Sequence, residues 1–217
     1  MKLLHSNIIN AAFQYVINTS KKHNIDESHA LKHSMDVFHY ANKIVHAEFP
    51  NNRFLEQQAD IISVSAIVHD MCDKKYVDKD KQLQHIEQFL GESLPPNEIK
   101  TVQQIIATMP YSYITEHGFP ELCEYQDAYH IVREADLLTA YDFDRSMLYH
   151  LHGKGRSSHT TNLTDAYLSA EDFFTTRAFK HNDNGLFTTK YAKEKSVLLH
   201  EESFERMMFW KTILDKE

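Results

Sequence analysis

Glycine and proline supply only five residues each to this 217-residue chain, where average usage predicts roughly 26 in all. So few turn-forming residues exclude a turn-dense β-sandwich, a collagen and a flexible linker protein, and they favour long helices. The length suits one compact domain, on a prior of about one per 150 residues. Hydrophobic residues at 42% allow a packed core and exclude a wholly disordered chain. The expected architecture is therefore all-α, a single-domain helical bundle over residues 1–217, with its helical core at about 23–212 and an N-terminal amphipathic helix at about 3–20.

Thirty-one acidic against 23 basic side chains leave a formal charge of −8. That field repels a phosphate backbone and disfavours general nucleic-acid binding. Two cysteines, Cys72 and Cys123, cannot build a disulfide framework, so a reducing, cytoplasmic setting is expected. Leu3 to Ser20 carries no Asp, Glu, Lys or Arg, yet Asn7, Asn10, Gln14 and Asn18 interrupt it. With Leu4, Ile8, Ala11 and Tyr15 at helical spacing, this reads as a core-facing helix rather than a targeting or membrane segment.

What occupies the apolar stripes carries the functional information. A helix N-capped by Asp26 carries Ala30, Ser34, Val37, Ala41, Ile44 and Glu48 on one stripe, with His33 on the same side. A third helix follows Asn51-Asn52, and its stripe of Leu55, Ala59, Ile62 and Ala66 runs on into His69 and Asp73. A short helix at Glu87 to Leu90 stops at Gly91, and another runs through Ile99, Val102, Ile105 and Ile106 to Pro110. From Asp127 to Phe143 the stripe is Tyr129, Val132, Asp136, Thr139 and Phe143. Loops at His152 to Ser158 and Asn182 to Gly185 flank a helix from about Asp165 to Phe179, and a last helix covers about Thr189 to Ile213.

Three helices thus place an ionisable group, His33, His69 or Asp136, where an apolar one is expected, and Asp70 adjoins His69. Burying such groups unpaired is costly, and a shared cation satisfies all four at once. Two imidazoles with two carboxylates suit Mn, Fe, Co, Ni or Zn, and suit Mg less well because it prefers oxygen donors. Adjacent His69 and Asp70 point about 100° apart within a helix, so joint ligation requires the helix to end or distort there. Of the fifteen histidines, only His33 and His69 have a strong positional reason to be ligands, with His29 one turn earlier as an orienting neighbour.

The order His33, His69-Asp70, Asp136 resembles the H…HD…D signature of the HD-domain metal-dependent phosphohydrolases. The run His69-Asp70-Met71-Cys72-Asp73-Lys74-Lys75 is similar to the H-D-x-x-D-x-K of the small single-domain branch that includes nucleotide pyrophosphohydrolases. Val132 to Ala140 is similar to that branch's D-A-D-x-L-D-A, and Arg206-Met207-Met208-Phe209 to its C-terminal helix. The resemblance implies an HD-type bundle with a divalent metal on His33, His69, Asp70 and Asp136. It also implies catalytic positions at Asp70, Asp73 and Lys75, and hydrolysis of a small phosphorylated substrate, in particular a nucleotide. Glu134 and Thr139 stand where the branch has aspartates, and Asp36 where it commonly has an arginine.

In that chemistry a divalent ion lowers the pKa of its water, and the hydroxide formed attacks phosphorus. Lys75 would stabilise the leaving side, with Lys74 or Arg133 in reserve as otherwise solvated cations, and Asp73 would orient water or a ligand histidine. Gly153-Lys154-Gly155-Arg156-Ser157-Ser158 could fold over an anion, although an ordinary loop is the simpler reading. Cys72 reads as a small packed side chain, and Tyr40, Tyr76, Tyr113 and Tyr141 as core aromatics rather than nucleobase platforms. Two alternatives remain open: an HD-fold diiron oxygenase drawing on His85, His117 or His130, and a non-catalytic nucleotide-binding module.

Overall fold

The computed structural model describes residues 6–152 and 162–215. The glycine- and lysine-rich segment from Gly153 to Ser158 lies outside the described residues. Every regular element among the described residues is helical, as the scarcity of glycine and proline requires. The α-helices are α1 (Ser6–His23), α2 (Leu31–Glu48), α3 (Ala59–Val68), α4 (Lys79–Leu90) and α5 (Pro96–Thr108), then α6 (Tyr111–His117), α7 (Gln126–Thr139), α8 (Phe143–His152), α9 (Leu163–Thr176) and α10 (Lys190–Leu214). Among the described residues, no helix is long and apolar enough to cross a membrane.

Backbone contacts divide the chain into two compact units, one ending at Asp136 and one beginning at Leu137. The division falls inside α7, with no linker and no shift of composition. A sequence reading based on such signals therefore finds one domain and no boundary.

In the first unit α3 is the central element, packed against α1, α2 and α5. Residues Ile61 to Val68 are all buried, so α3 has no solvent face beyond its first two residues. Neighbours on several sides remove the need for a polar face, which is why reading α3 as a one-stripe helix captured only part of its buried surface. It also begins later than Asn51-Asn52 suggests. Asn52 caps a 3-10 turn at Arg53–Glu56, accepting from Phe54 N at 3.0 Å, and the helix starts at Ala59.

Other boundaries differ for equally local reasons. The buried line of α1 is Ile8, Ala12, Val16 and Thr19, while Ala11 and Tyr15 are half-buried. α4 opens well before Glu87, capped by Asp78, which accepts from Lys81 N at 3.2 Å. Its first turns are too polar to show a stripe. Pro110 starts the seven-residue α6, and Gly118 ends it at φ +75. Asp26 does not cap α2, which begins at Leu31 behind Ala30 with no side-chain cap.

The second unit has its own apolar core of Phe143, Met147, Tyr167, Ala170, Phe174, Ala178 and Met207. Asn162 caps α9, accepting from Thr164 N at 2.8 Å, and the helix ends at Thr176 rather than Phe179. A 3-10 turn at Ala178–Lys180 follows. Asp144 joins α8 to α10: Arg206 donates to its two oxygens at 2.7 to 3.0 Å, and Trp210 Nε1 donates at 2.7 Å. Arg206 thus serves as a tie between helices of this unit.

Candidate metal centre

The fold explains how His69 and Asp70 reach one site. α3 stops at Val68, and His69–Cys72 forms a 3-10 turn. The tighter winding, about 120° per residue, changes the direction of successive side chains. The distortion that joint ligation requires is therefore present at these residues. His33 comes from the buried face of α2, and Asp136 from the last turn of α7 that belongs to the first unit.

The four side chains converge. His33 Nε2 lies 3.2 Å from His69 Nε2, 3.1 Å from Asp70 Oδ2 and 3.3 Å from Asp136 Oδ1. His69 Nε2 lies 3.3 Å from Asp70 Oδ1 and 3.6 Å from Asp136 Oδ1. Donors at 2.0–2.2 Å from a shared ion stand about 2.8–3.6 Å apart for octahedral or tetrahedral angles. The observed spacings match that range.

Hydrogen bonding fixes the chemistry of these atoms. His69 Nδ1 is 2.9 Å from Ala66 O. A carbonyl only accepts, so Nδ1 carries the proton and the neutral ring presents a lone pair at Nε2. Such an orienting bond behind a ligand histidine is a standard feature of metal sites. Asp70 Oδ2 is buried and has no hydrogen-bond partner, despite its close approach to His33. A buried carboxylate oxygen without a donor, beside two converging imidazoles, is a position that a cation satisfies and a neutral side chain does not. The residues therefore fit a divalent ion.

Exposure is uneven across the four residues. The His33 and His69 side chains are 2% and 4% exposed, against 17% for Asp70 and 34% for Asp136. The imidazoles form the floor, and the carboxylates form the wall that water can reach. An accessible edge is what distinguishes a catalytic metal site from a closed structural one.

The electrostatics follow. Burial opposes the His69 imidazolium, yet the Asp70 charge and the hydrogen bond and charge of Asp136 outweigh it and pull the pKa up to about 9 from 6.5. Burial alone would raise the pKa of Asp70, but the charge of His69, then of His29 and His33, holds it down. Asp136 is held well below the usual range against burial by hydrogen bonds from His33 and His69. In the metal-free protein the stabilisation from His69 is fully present below pH 6.5 and is lost as pH rises through about 9. The carboxylates contribute above 3.8 and lose their contribution only as pH falls below it. The thermal midpoint of chelator-treated protein is expected to fall between about pH 6.5 and 9. Metal uptake at pH 7 is expected to release about one proton per ion. A flat midpoint with no proton release would remove His69 from the site.

Around the four ligands the structure adds a network that the sequence only hinted at. Asp26 accepts from Ser28 N at 3.0 Å, from the Ser28 hydroxyl, and from Tyr76 OH at 2.8 Å. His29 Nδ1 lies 2.7 Å from Ser28 Oγ and 3.4 Å from Tyr76 OH, and its ring is 6.1 Å from that of His33. Asp26 thus holds His29 beside the centre instead of capping α2. The D-x-S pattern is a recognisable turn signal, whereas the partnership with Tyr76 spans 50 residues and has no local signature.

The other expected residues are placed as follows. Asp73 accepts from Lys75 N at 2.9 Å and pairs with Lys75 Nζ at 3.2 Å, with the lysine side chain 43% exposed. Cys72 is buried, and burial pushes its thiol up to about 12, in keeping with a packed side chain. Asp36 pairs with Lys32 on the surface, so its charge is compensated locally. Arg133 is not a solvated cation: its side chain is 1% exposed, and it pairs with the fully buried Glu134 at 3.1 Å. His85 contacts Gln82, His117 pairs with Glu116, and His130 lies between Gln126 and Arg133. Among the described residues, the group built on His33, His69 and Asp136 is the one with metal-ligating geometry.

Comparison with known protein families, with characterised proteins and with solved structures finds no match to this chain.

Proposed function

We propose that this protein is an HD-type, metal-dependent phosphohydrolase that cleaves a phosphate ester or anhydride of a small substrate, in particular a nucleotide. The observation that carries this reading is the convergence of His33, His69, Asp70 and Asp136, in H…HD…D order, to donor spacings of 3.1 to 3.6 Å, with the two carboxylates partly exposed. A divalent ion, with Mn, Fe, Co, Ni or Zn favoured over Mg by the donor set, supplies the Lewis acidity that lowers the pKa of water and screens a phosphoryl oxygen.

The chain's own residues supply the rest. Ala66 O keeps the His69 proton on Nδ1, so Nε2 stays available as a ligand. Asp70 and Asp136 enter as anions, held deprotonated by the imidazoles beside them. Asp136, the more exposed carboxylate, borders the side from which water and substrate arrive and can accept a proton hydrogen bond from the attacking water. Lys75, 43% exposed and paired with Asp73, is the cation that would meet charge developing on the leaving group. Net charge, the free cysteines and the absence of a membrane-crossing helix among the described residues are compatible with a cytoplasmic enzyme of small anions.

The direct test is a panel of nucleotides and simple phosphoesters, assayed with Mn, Fe, Co, Ni, Zn and Mg, with phosphate and pyrophosphate resolved. Release of either, dependent on the added ion, is the expected result. A protein that binds nucleotide but cleaves nothing would be a binding module. Two irons per chain with a diiron spectrum would make it an oxygenase.

A further inference from the structure

Arg133 carries more hydrogen-bonding capacity than its surroundings use. Its Nη2 lies 3.1 Å from Glu134 Oε1 and 3.3 Å from His130 Nδ1. Its Nε and Nη1 are buried with no hydrogen-bond partner, which leaves three of the five guanidinium N–H donors unsatisfied. A side chain 1% exposed in that state is costly to keep. Glu134 compensates the charge but not the donors. Methionine and leucine would fill the same volume without that cost.

The surroundings show where those donors could find acceptors. Arg133 sits one helical turn before Asp136 on the same face of α7, near enough to feel that carboxylate's charge. Its guanidinium lies under the ring of Phe119, 4.6 Å from the centroid, and 6.0 Å from that of Tyr129. Tyr129 is fully buried and bonded to Thr108 O, whereas Phe119 is 39% exposed. Phe119 is therefore the outer cover of Arg133. It follows Gly118, whose φ of +75 and ψ of −167 suit glycine alone, in a stretch with no regular structure.

We propose that Arg133 is an anion-binding residue beside the metal centre that engages a phosphoryl group of the substrate through Nε and Nη1, with Phe119 as a cover that swings aside on Gly118. The proposal rests on the phosphohydrolase reading and deepens it. The guanidinium fork matches phosphate geometry, and Glu134 keeps the cation neutralised while the site is closed.

Inorganic phosphate is the probe, with the full chain loaded with Mn. Phenylglyoxal labelling of Arg133, mapped by mass spectrometry, reads its accessibility, and calorimetry reads phosphate affinity. Phe119→Ala is expected to speed labelling about tenfold by removing the closed state, and saturating phosphate is expected to suppress it. Arg133→Lys keeps a cation beside Glu134 and preserves the fold, but it is expected to weaken phosphate binding about tenfold or more through lost charged hydrogen bonds, with Mn content unchanged. Labelling indifferent to phosphate in Phe119→Ala, or equal phosphate affinity in Arg133→Lys, would reduce Arg133 to a structural partner of Glu134. If phosphoesters are hydrolysed without such protection, this inference alone fails. If phosphate protects Arg133 while no ester is cleaved, the anion site stands and the hydrolase reading falls.

Discussion

Replacing Asp136 by alanine is expected to reduce hydrolysis by more than about a hundredfold, because even residues behind the ligands cost roughly 10- to 100-fold when lost. Asp136 Oδ1 is the one oxygen within 3.6 Å of both imidazoles from the α7 side. Its removal opens the donor set and strips the accessible wall of its charge. Metal content should fall in parallel, since three remaining donors hold an ion less tightly than four. The fold should survive. Its neighbours Val132, Ala135 and Leu137 on α7 remain packed, so helicity is expected to change little, while the unfolding transition of the metal-free protein loses the part of the His69 stabilisation that Asp136 supplies. Asp70→Ala should behave similarly in activity, with the added effect of relieving a buried oxygen that has no donor. An Asp136→Ala protein with full activity and full metal content would remove the proposed centre.

A second large effect is expected at a neighbouring position with no ligand role. Glu134→Ala leaves the Arg133 guanidinium buried without its counter-ion, and losing one partner of a buried pair costs about 3–5 kcal/mol. Against a total stability of about 5–15 kcal/mol for an ordinary domain, that is a third or more of what holds it folded. Replacing both residues at once, with Arg133→Met and Glu134→Leu, removes the charge and its desolvation together. The double variant is expected to be far closer to the native protein than the single one. Urea unfolding of the three proteins checks this. A single-variant cost below about 1 kcal/mol, typical of an exposed pair, would mean that water reaches the guanidinium.

The two experiments separate roles that look alike in sequence, where Arg133, Glu134 and Asp136 are simply three charges on one helix. The stripe through Tyr129, Val132 and Asp136 was legible because an acid interrupts an apolar series. Arg133 lies beside that stripe and reads as a surface cation. Its burial depends on Phe119, which comes from a loop beyond α6, and on the carboxylate next to it. No local pattern encodes either contact.

Much of the helical content was legible in the same way. Stripes on α2, α5 and α7 are real, and Ser34, Val37, Ala41 and Ile44 are buried as their spacing requires. α3 was only partly legible, because a helix buried all round has no polar face to give it a period. The start of α4 and the whole of α6 were hidden by polar first turns and by prolines that begin a helix as readily as they end one. Asp26 shows the reverse failure. It has the chemistry of a cap, and the turn it makes with Ser28 uses that chemistry before α2 begins.

The sequence by itself determined that this chain is helical, through its shortage of turn formers, and that His33, His69 and Asp136 interrupt its apolar stripes, with Asp70 beside one of them. Both are properties of composition and period, which are local and survive without coordinates. Tertiary structure decided what those interruptions amount to. It bent His69 and Asp70 into a 3-10 turn, brought α2 and α7 to within 3.1 to 3.6 Å of them, and turned Asp26 onto Tyr76 to hold His29. It also buried Arg133 under Phe119 with donors to spare. These are contacts between residues far apart in the chain, and their energies come from excluding water around a few charges. Spacing along one helix carries no record of that.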